Sequence, residues 1–156
     1  MAVKIIFIGS PLGGDDGIGP VLYCELKGNP KLKNFELLEL GVIGFDMISY
    51  VEDDDELIIV DAVRTNKKSD VGKIILLGEK DLKPDLSLIS QHDFGIEQTA
   101  LLLRVYKPKL KKINIIGIKV YKIQPFSDKL SKELLEKISE IKKNVLNQII
   151  KITKKN

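Results

Sequence analysis

The fold is decided near the N-terminus, where residues 3–22 have the sequence VKIIFIGSPLGGDDGIGPVL. Apart from Lys4, Val3 to Ile8 is a run of β-branched and aromatic residues, which is typical of a strand buried on both faces. A segment rich in glycine and aspartate follows, from Gly9 to Gly17. Ile18 and Leu22 then begin the apolar spacing of a helix. A buried strand joined by a short loop to a helix predicts an α/β domain built on a parallel sheet.

The rest of the chain continues the alternation of strands and helices. Strands are predicted at Phe35 to Leu40, Leu57 to Val60, Lys73 to Leu77 and Ile113 to Val120. Helices are predicted through Phe45, Ile48 and Val51 and over Ile96 to Tyr106. Only eleven residues, most of them polar, separate Asp61 from Lys73, too few for a parallel crossover, so the strand that begins at Lys73 is predicted to be antiparallel. The pattern therefore predicts a single three-layer α/β/α domain over residues 1–156, with a mostly parallel sheet of about five strands.

The C-terminal region predicts one long helix from about Ser127. Its apolar residues recur every three or four positions and form one stripe, made of Leu130, Leu134, Ile138, Ile141, Val145, Ile149 and Ile152. Such a stripe is expected to pack on the sheet. A free arm that binds a partner as a coiled coil is the alternative.

Composition limits the class of protein. The chain has 156 residues, of which 44% are hydrophobic and 30% are charged, as in a folded domain. Its longest apolar runs are too short to cross a membrane, and the N-terminus has no secretory signal, so a cytoplasmic protein without membrane insertion is expected. A net charge of +3 with few aromatic residues does not favour nucleic-acid binding. The sequence carries no signal for a particular oligomeric state.

Cys24 is the one cysteine of the chain. A single cysteine excludes an intramolecular disulfide and a zinc site built from cysteines. Because it lies among apolar positions of the first helix, it is predicted to be a packed thiol.

Polar residues follow several of the predicted strands. Asp15 and Asp16 lie in the loop after the first strand, Asp61 ends the third strand, and His92 lies in a loop before a helix. The carboxyl ends of parallel strands form one edge of a sheet, where α/β proteins place their active sites, so these groups are expected to meet. Individually, Asp15 or Asp16 could cap a helix, Asp61 could mark a strand end, and His92 could be an ordinary loop residue.

Two carboxylates and one imidazole are a ligand set that suits zinc, nickel, manganese or iron. The same groups could instead position a water between an acid and a base. A Ser-His-Asp triad is not favoured, because the chain has no serine in a G-x-S-x-G turn. The glycine-rich loop matches neither of the common phosphate-binding patterns, which leaves a nucleotide-binding module as a distant alternative.

The motifs and their order resemble those of the hydrogenase maturation endopeptidases. Gly9 to Pro20, directly after the first strand, resembles the opening motif of that family. Leu57 to Ala62 is similar to its second motif, and His92 to Ile96 to its histidine segment. Ile115 to Ile118, followed by the terminal helix, is similar to its close. The resemblance covers essentially the whole chain.

The resemblance implies a three-layer α/β fold and an endopeptidase that removes a C-terminal extension from the large-subunit precursor of a [NiFe] hydrogenase after nickel insertion. Asp16, Asp61 and His92 would be the catalytic and metal-contacting residues, and the nickel would be carried by the precursor. Two positions depart from the family pattern: Ser10 replaces a usual Asn, and Glu39 to Val42 replaces a usual Asp-Gly-Gly-Thr. A non-catalytic escort of the nickel-containing precursor is the alternative that the second departure keeps open.

Overall fold

Five strands form one sheet in the computed structural model, which describes residues 2–41, 46–82, 96–121 and 126–155. The sheet has the order β2-β1-β3-β5-β4, and only β4 runs antiparallel to its neighbour. This arrangement confirms the mostly parallel sheet and the antiparallel fourth strand. The strands are β1 Val3–Phe7, β2 Glu36–Glu39, β3 Glu56–Arg64, β4 Ile74–Gly78 and β5 Lys112–Val120.

Helices cover both faces of the sheet and complete the three layers. They are α1 Ile18–Leu26, α2 Asp46–Ser49, α3 Ile96–Tyr106, α4 Lys132–Glu136 and α5 Ile138–Lys154. Ile5 and Phe7 pack with α1 and α5, whereas Ile6 and Ile8 pack on the other face with α2 and α3. Because successive strand residues point to opposite faces, a strand buried on both needs consecutive apolar residues, as Ile5 to Ile8 provide. No helix in the described ranges is long and apolar enough to cross a membrane.

The third strand is longer than predicted. β1 pairs with β3 only as far as Phe7 opposite Val60, but β3 continues beside β5 from Asp61, opposite Gly117, to Arg64. The prediction that the strand ends at Asp61 is therefore wrong. Its partner β5 continues past this point and keeps the ladder of hydrogen bonds, so the chain has no reason to leave the sheet. Asp61 is instead the first residue of β3 beyond the end of β1, which places it at the edge that the α/β topology uses for active sites.

The C-terminal region forms two helices, so the prediction of one helix from Ser127 is wrong. The Ser131 hydroxyl caps α4 by accepting a hydrogen bond from the Leu134 N–H, and Lys137, with φ −102° and ψ 0°, separates α4 from α5. The Lys137 ammonium donates to the Val71 carbonyl at 2.7 Å, which fixes that junction. The apolar stripe nevertheless packs on the sheet as predicted, with its central residues fully buried: Leu134, Ile141, Val145 and Ile149.

Cys24 is exposed, so the prediction of a packed thiol is wrong. The buried side of α1 is formed by Ile18, Leu22 and Leu26, which recur every four residues. Cys24 lies halfway between the last two, and a half turn of helix turns it toward solvent.

Candidate active site

Asp16 lies in a loop that returns to the end of β1. It belongs to a 3-10 turn, Asp15–Gly17, directly before α1. The Ser10 backbone N–H donates to Asp16 Oδ2 at 2.9 Å, which closes the loop and orients the carboxylate. Because the donor is a backbone group, this bond does not depend on whether residue 10 is Ser, as here, or the Asn that is usual in the family.

The start of the loop requires glycine. Gly9 has φ +149°, and a Cβ built there would lie 2.0 Å from the Asp16 carbonyl oxygen. Backbone atoms cannot yield to such a contact as a flexible side chain can. Gly9 therefore allows the loop to fold back closely enough to bring Asp16 to the edge of the sheet.

Asp61 lies beside this loop and has an altered acidity. Its Oδ1 atom accepts a hydrogen bond from the Ala62 N–H at 2.8 Å. Burial raises the pKa of Asp61 to about 7, the Ala62 hydrogen bond opposes that rise, and the nearby Asp16 carboxylate adds to it. The structure thus brings Asp16 and Asp61 together, as the topology predicted. The Asp61 carboxyl group therefore titrates near neutral pH.

Asp15 has a different role from its neighbour. Its two carboxylate oxygens accept hydrogen bonds from Ser131, one from the backbone N–H at 2.6 Å and one from the hydroxyl at 2.8 Å. Asp15 is buried, and Ser131 is the residue that caps α4. Neither Asp15 nor Asp16 caps α1, whose N-cap is Gly17 without a side-chain bond. Asp15 therefore ties the loop to the C-terminal helices, 116 residues away.

We expect Asp15→Ala to lower the free energy of unfolding by about 1–3 kcal/mol, because it leaves the two partly buried Ser131 donors without their acceptor. Urea denaturation measures this loss. Asp128→Ala, which removes an exposed aspartate from the same C-terminal segment, is the control and should change stability by less than about 0.5 kcal/mol. Equal unfolding midpoints for the two variants would contradict the structural role of Asp15.

A second segment reaches the same loop and was not identified from the sequence. The Gly14 N–H donates to the Ser127 carbonyl at 2.8 Å, and the Ser127 N–H donates to the Leu12 carbonyl at 3.0 Å. These bonds form an isolated parallel bridge between Gly13 and Ser127. Partners so far apart in the chain share no local pattern. The one sequence signal near Ser127 is the aromatic residue Phe126, which precedes it.

The segment that departs from the family pattern begins next to the same loop. The Leu40 N–H donates to the Phe7 carbonyl at 3.1 Å, and the Gly41 carbonyl accepts from the Gly9 N–H at 2.9 Å. Gly41 has φ +59°, a conformation that favours glycine. Backbone bonds therefore fasten the segment to the end of β1 whatever its side chains are. Val42, its last residue, lies outside the described residues.

His92 also lies outside the described residues, so its place beside the two carboxylates stays a prediction. Within the described ranges, no three or more histidine, cysteine, aspartate or glutamate side chains are grouped so as to hold a metal ion. Asp16 and Asp61 can offer oxygen ligands to a divalent cation, and carboxylate is a ligand type that borderline metals accept. The donor chemistry of the pair thus fits a metal that brings further ligands of its own.

Comparison with known proteins identifies the family. The model of the HycI hydrogenase maturation protease family matches residues 21–148. The hydrogenase 2 maturation protease of Escherichia coli (strain K12) is 27% identical over 128 residues, which cover 80% of this chain and 77% of that protein. These matches confirm the family predicted from the motifs.

Solved structures agree with the fold. The hydrogenase maturating endopeptidase HybD from E. coli has a TM-score of 0.73 at 23% identity, over 97% of this chain and 93% of that one. The [NiFe] hydrogenase maturation protease HycI from Thermococcus kodakarensis has a TM-score of 0.71 at 20% identity, over 94% and 90%. Both confirm the predicted α/β fold. On the family match, the chain belongs to the hydrogenase maturation proteases and is a peptidase.

Proposed function

We propose that this peptidase acts in the cytoplasm on the large-subunit precursor of a [NiFe] hydrogenase and removes its C-terminal extension once nickel has been inserted. The observation that supports this most strongly is the pairing of Asp16 with Asp61 at the end of β1, in a chain of this family. Paired carboxylates can orient a water for attack on a peptide bond, and they can also contact a metal.

The nickel of this reaction belongs to the substrate. Two carboxylates and the predicted His92 are a sparse ligand set, which suits an ion already held by the precursor. Bound there, nickel supplies Lewis-acid polarisation of a peptide carbonyl or of a water. A site that only the nickel-loaded precursor completes would leave a precursor without nickel uncut.

The protonation of Asp61 sets the conditions for this encounter. With a pKa of about 7, the carboxyl group is largely protonated at acidic pH and ionised at alkaline pH. Only the ionised form is a good ligand for a cation, so the approach of nickel at low pH must displace a proton. A protonated His92 is likewise unable to bind a metal. Both effects favour the reaction at neutral or alkaline pH.

The decisive experiment is to incubate the purified protein with three forms of the same precursor: nickel-loaded, zinc-loaded and empty. We expect intact-mass spectrometry to show loss of the C-terminal extension from the nickel-loaded form alone, because only this ion completes the site. Asp16→Asn, incubated with the nickel-loaded form, is the control for contaminating proteases and should leave it uncut.

Equal cleavage of the empty precursor would contradict the role of nickel as part of the substrate. Binding of the nickel-loaded precursor without any cleavage would instead support the alternative function, a non-catalytic escort.

A further inference from the structure

Two large apolar side chains are exposed beside the loop that carries Asp16. Leu12, within that loop, is 62% exposed, and Phe126 is 96% exposed. Isolated exposed apolar residues are common on protein surfaces, but two of them next to a candidate active site call for an explanation.

Backbone hydrogen bonds join the two segments of the chain that carry these residues. Ser127, which follows Phe126, donates to the carbonyl of Leu12 itself and accepts from Gly14. Four residues further on, Ser131 is bonded to Asp15. The Phe126–Ser131 segment is therefore attached to the acidic loop at both ends. The position of Phe126 relative to Asp16 is fixed by the same contacts that shape the site.

The conformation of Phe126 opposes stability. It has φ +63°, and within the described ranges it is the only residue other than glycine with a positive φ. This left-handed region is unfavourable for a residue with a bulky side chain. Because the Phe126 ring is almost fully exposed, burial of its apolar surface does not offset the cost of the left-handed conformation. Phe126 thus contributes unfavourable backbone energy and exposed apolar surface, a combination expected where binding, and not folding, requires the side chain.

The Phe126–Ser131 segment and the loop with Asp15 both contribute to a cavity that lysine residues border. A cavity of about 290 Å³ adjoins Asp15 and is bordered by Lys68, Lys129 and Lys132, with Glu133 as the opposing charge. The Asp15 carboxylate in this cavity is already engaged by Ser131. Lys129 and Lys132 follow Phe126 closely in the chain, and an apolar projection near basic residues is complementary to a protein surface that combines apolar side chains with carboxylates.

We propose that Leu12 and Phe126 form the docking surface for the hydrogenase precursor, which would present an apolar patch bordered by acidic side chains near its cleavage segment. This proposal rests on the proposed function for the identity of the partner. The occupant follows from position, because a protein bound to these residues lies directly beside Asp16. It would hold a peptide bond of the same chain close to the two carboxylates.

Binding measurements test the docking surface separately from catalysis. The nickel-loaded precursor is immobilised, and biolayer interferometry measures how tightly two variants of this protein bind to it. The first variant carries Asp61→Asn alone, which prevents turnover. The second carries Asp61→Asn together with Phe126→Asn. Asparagine tolerates the left-handed conformation, so the melting temperature should not fall. We expect Phe126→Asn to weaken binding about tenfold or more, as for a central interface residue.

Two further variants in the same background sharpen the test. Val105→Asn removes an apolar side chain that is 66% exposed in the last turn of α3, at the opposite end of the sheet from the acidic loop. It should change the affinity by less than about twofold, as for a surface residue outside the interface. Phe126→Leu keeps an apolar side chain and should retain most of the binding.

Unchanged affinity for Phe126→Asn, or a loss equal to that of Val105→Asn, would overturn the docking surface even if the parent enzyme cleaves the precursor. A fall in melting temperature with Phe126→Asn would show that the residue serves the fold, and would also overturn it. If the parent enzyme cleaves no precursor but Phe126→Asn still weakens binding, the docking surface stands and the proposed cleavage fails.

Discussion

Asp61→Asn should reduce processing of the nickel-loaded precursor by about a hundredfold or more, and it should also stabilise the protein above pH 7. Removing a positioned acid or base commonly costs about 10²–10⁴ in rate, and the loss of a metal-contacting carboxylate acts in the same direction. Asparagine has the same shape as aspartate, so packing at the end of β1 is preserved. The variant should therefore be an inactive but well-folded protein.

The gain in stability follows from the direction of the pKa shift. The pKa of Asp61 is about 7 in the folded protein and close to the ordinary aspartate value of about 3.9 in the unfolded chain. Folding therefore favours the protonated form, and this favourable contribution is fully present below about pH 4. It is lost as the pH rises through 7, where the folded protein must hold a partly buried charge near Asp16. A neutral side chain avoids that cost, which is on the order of 1–3 kcal/mol.

Urea denaturation at pH 5 and pH 8 measures the effect. The unfolding midpoint of Asp61→Asn should exceed that of the parent by more at pH 8 than at pH 5. Asp128→Asn, at an exposed aspartate, should show no such difference between the two pH values. Near-normal cleavage by Asp61→Asn would remove this residue from the site, and a pH-independent difference in midpoint would contradict its raised pKa.

Leu134→Asp should unfold the protein or lower its melting temperature drastically. Leu134 is fully buried in the core that α4 and α5 form with the sheet. The substitution removes a buried leucine, which costs about 2–5 kcal/mol, and adds the further cost of a buried carboxylate without a partner. Together these approach the whole stability of a typical domain, about 5–15 kcal/mol.

Leu135→Asp is the matched control, because the next residue of the same helix is 52% exposed. Both substitutions have the same intrinsic cost for helix formation, so their difference reports burial alone. Circular dichroism should show Leu135→Asp melting within a few degrees of the parent. Equal melting of the two variants would mean that α4 does not pack on the core in solution.

The sequence was sufficient to predict the layers of the fold. The consecutive apolar residues from Ile5 to Ile8 predict a strand covered on both faces, and the short connection after β3 predicts the antiparallel β4. The terminal stripe predicts which side of α5 packs on the sheet. Each of these is a local pattern that follows from burial, and each is found in the structure. The order of the strands likewise brought Asp16 and Asp61 to one edge.

The sequence could not set the limits of elements whose neighbours lie far away. β3 extends to Arg64 because β5 continues to pair with it, and hydrogen bonds between distant strands leave no mark in the residues of either. The break at Lys137 likewise depends on a bond to the Val71 carbonyl, although the apolar stripe runs through it unchanged.

The sequence by itself determined that a strand, a glycine-rich loop and a helix place aspartates at the edge of a parallel sheet. The family resemblance singled out Asp16, but only the tertiary structure decided which partners Asp15 and Asp16 have. The two residues are identical and adjacent, so their own chemistry does not separate them. Asp15 is buried and accepts two hydrogen bonds from Ser131, whereas Asp16 accepts a bond from the Ser10 backbone N–H and lies close enough to Asp61 to raise its pKa. The role of each carboxylate therefore depends on the partner that folding brings to it across the chain.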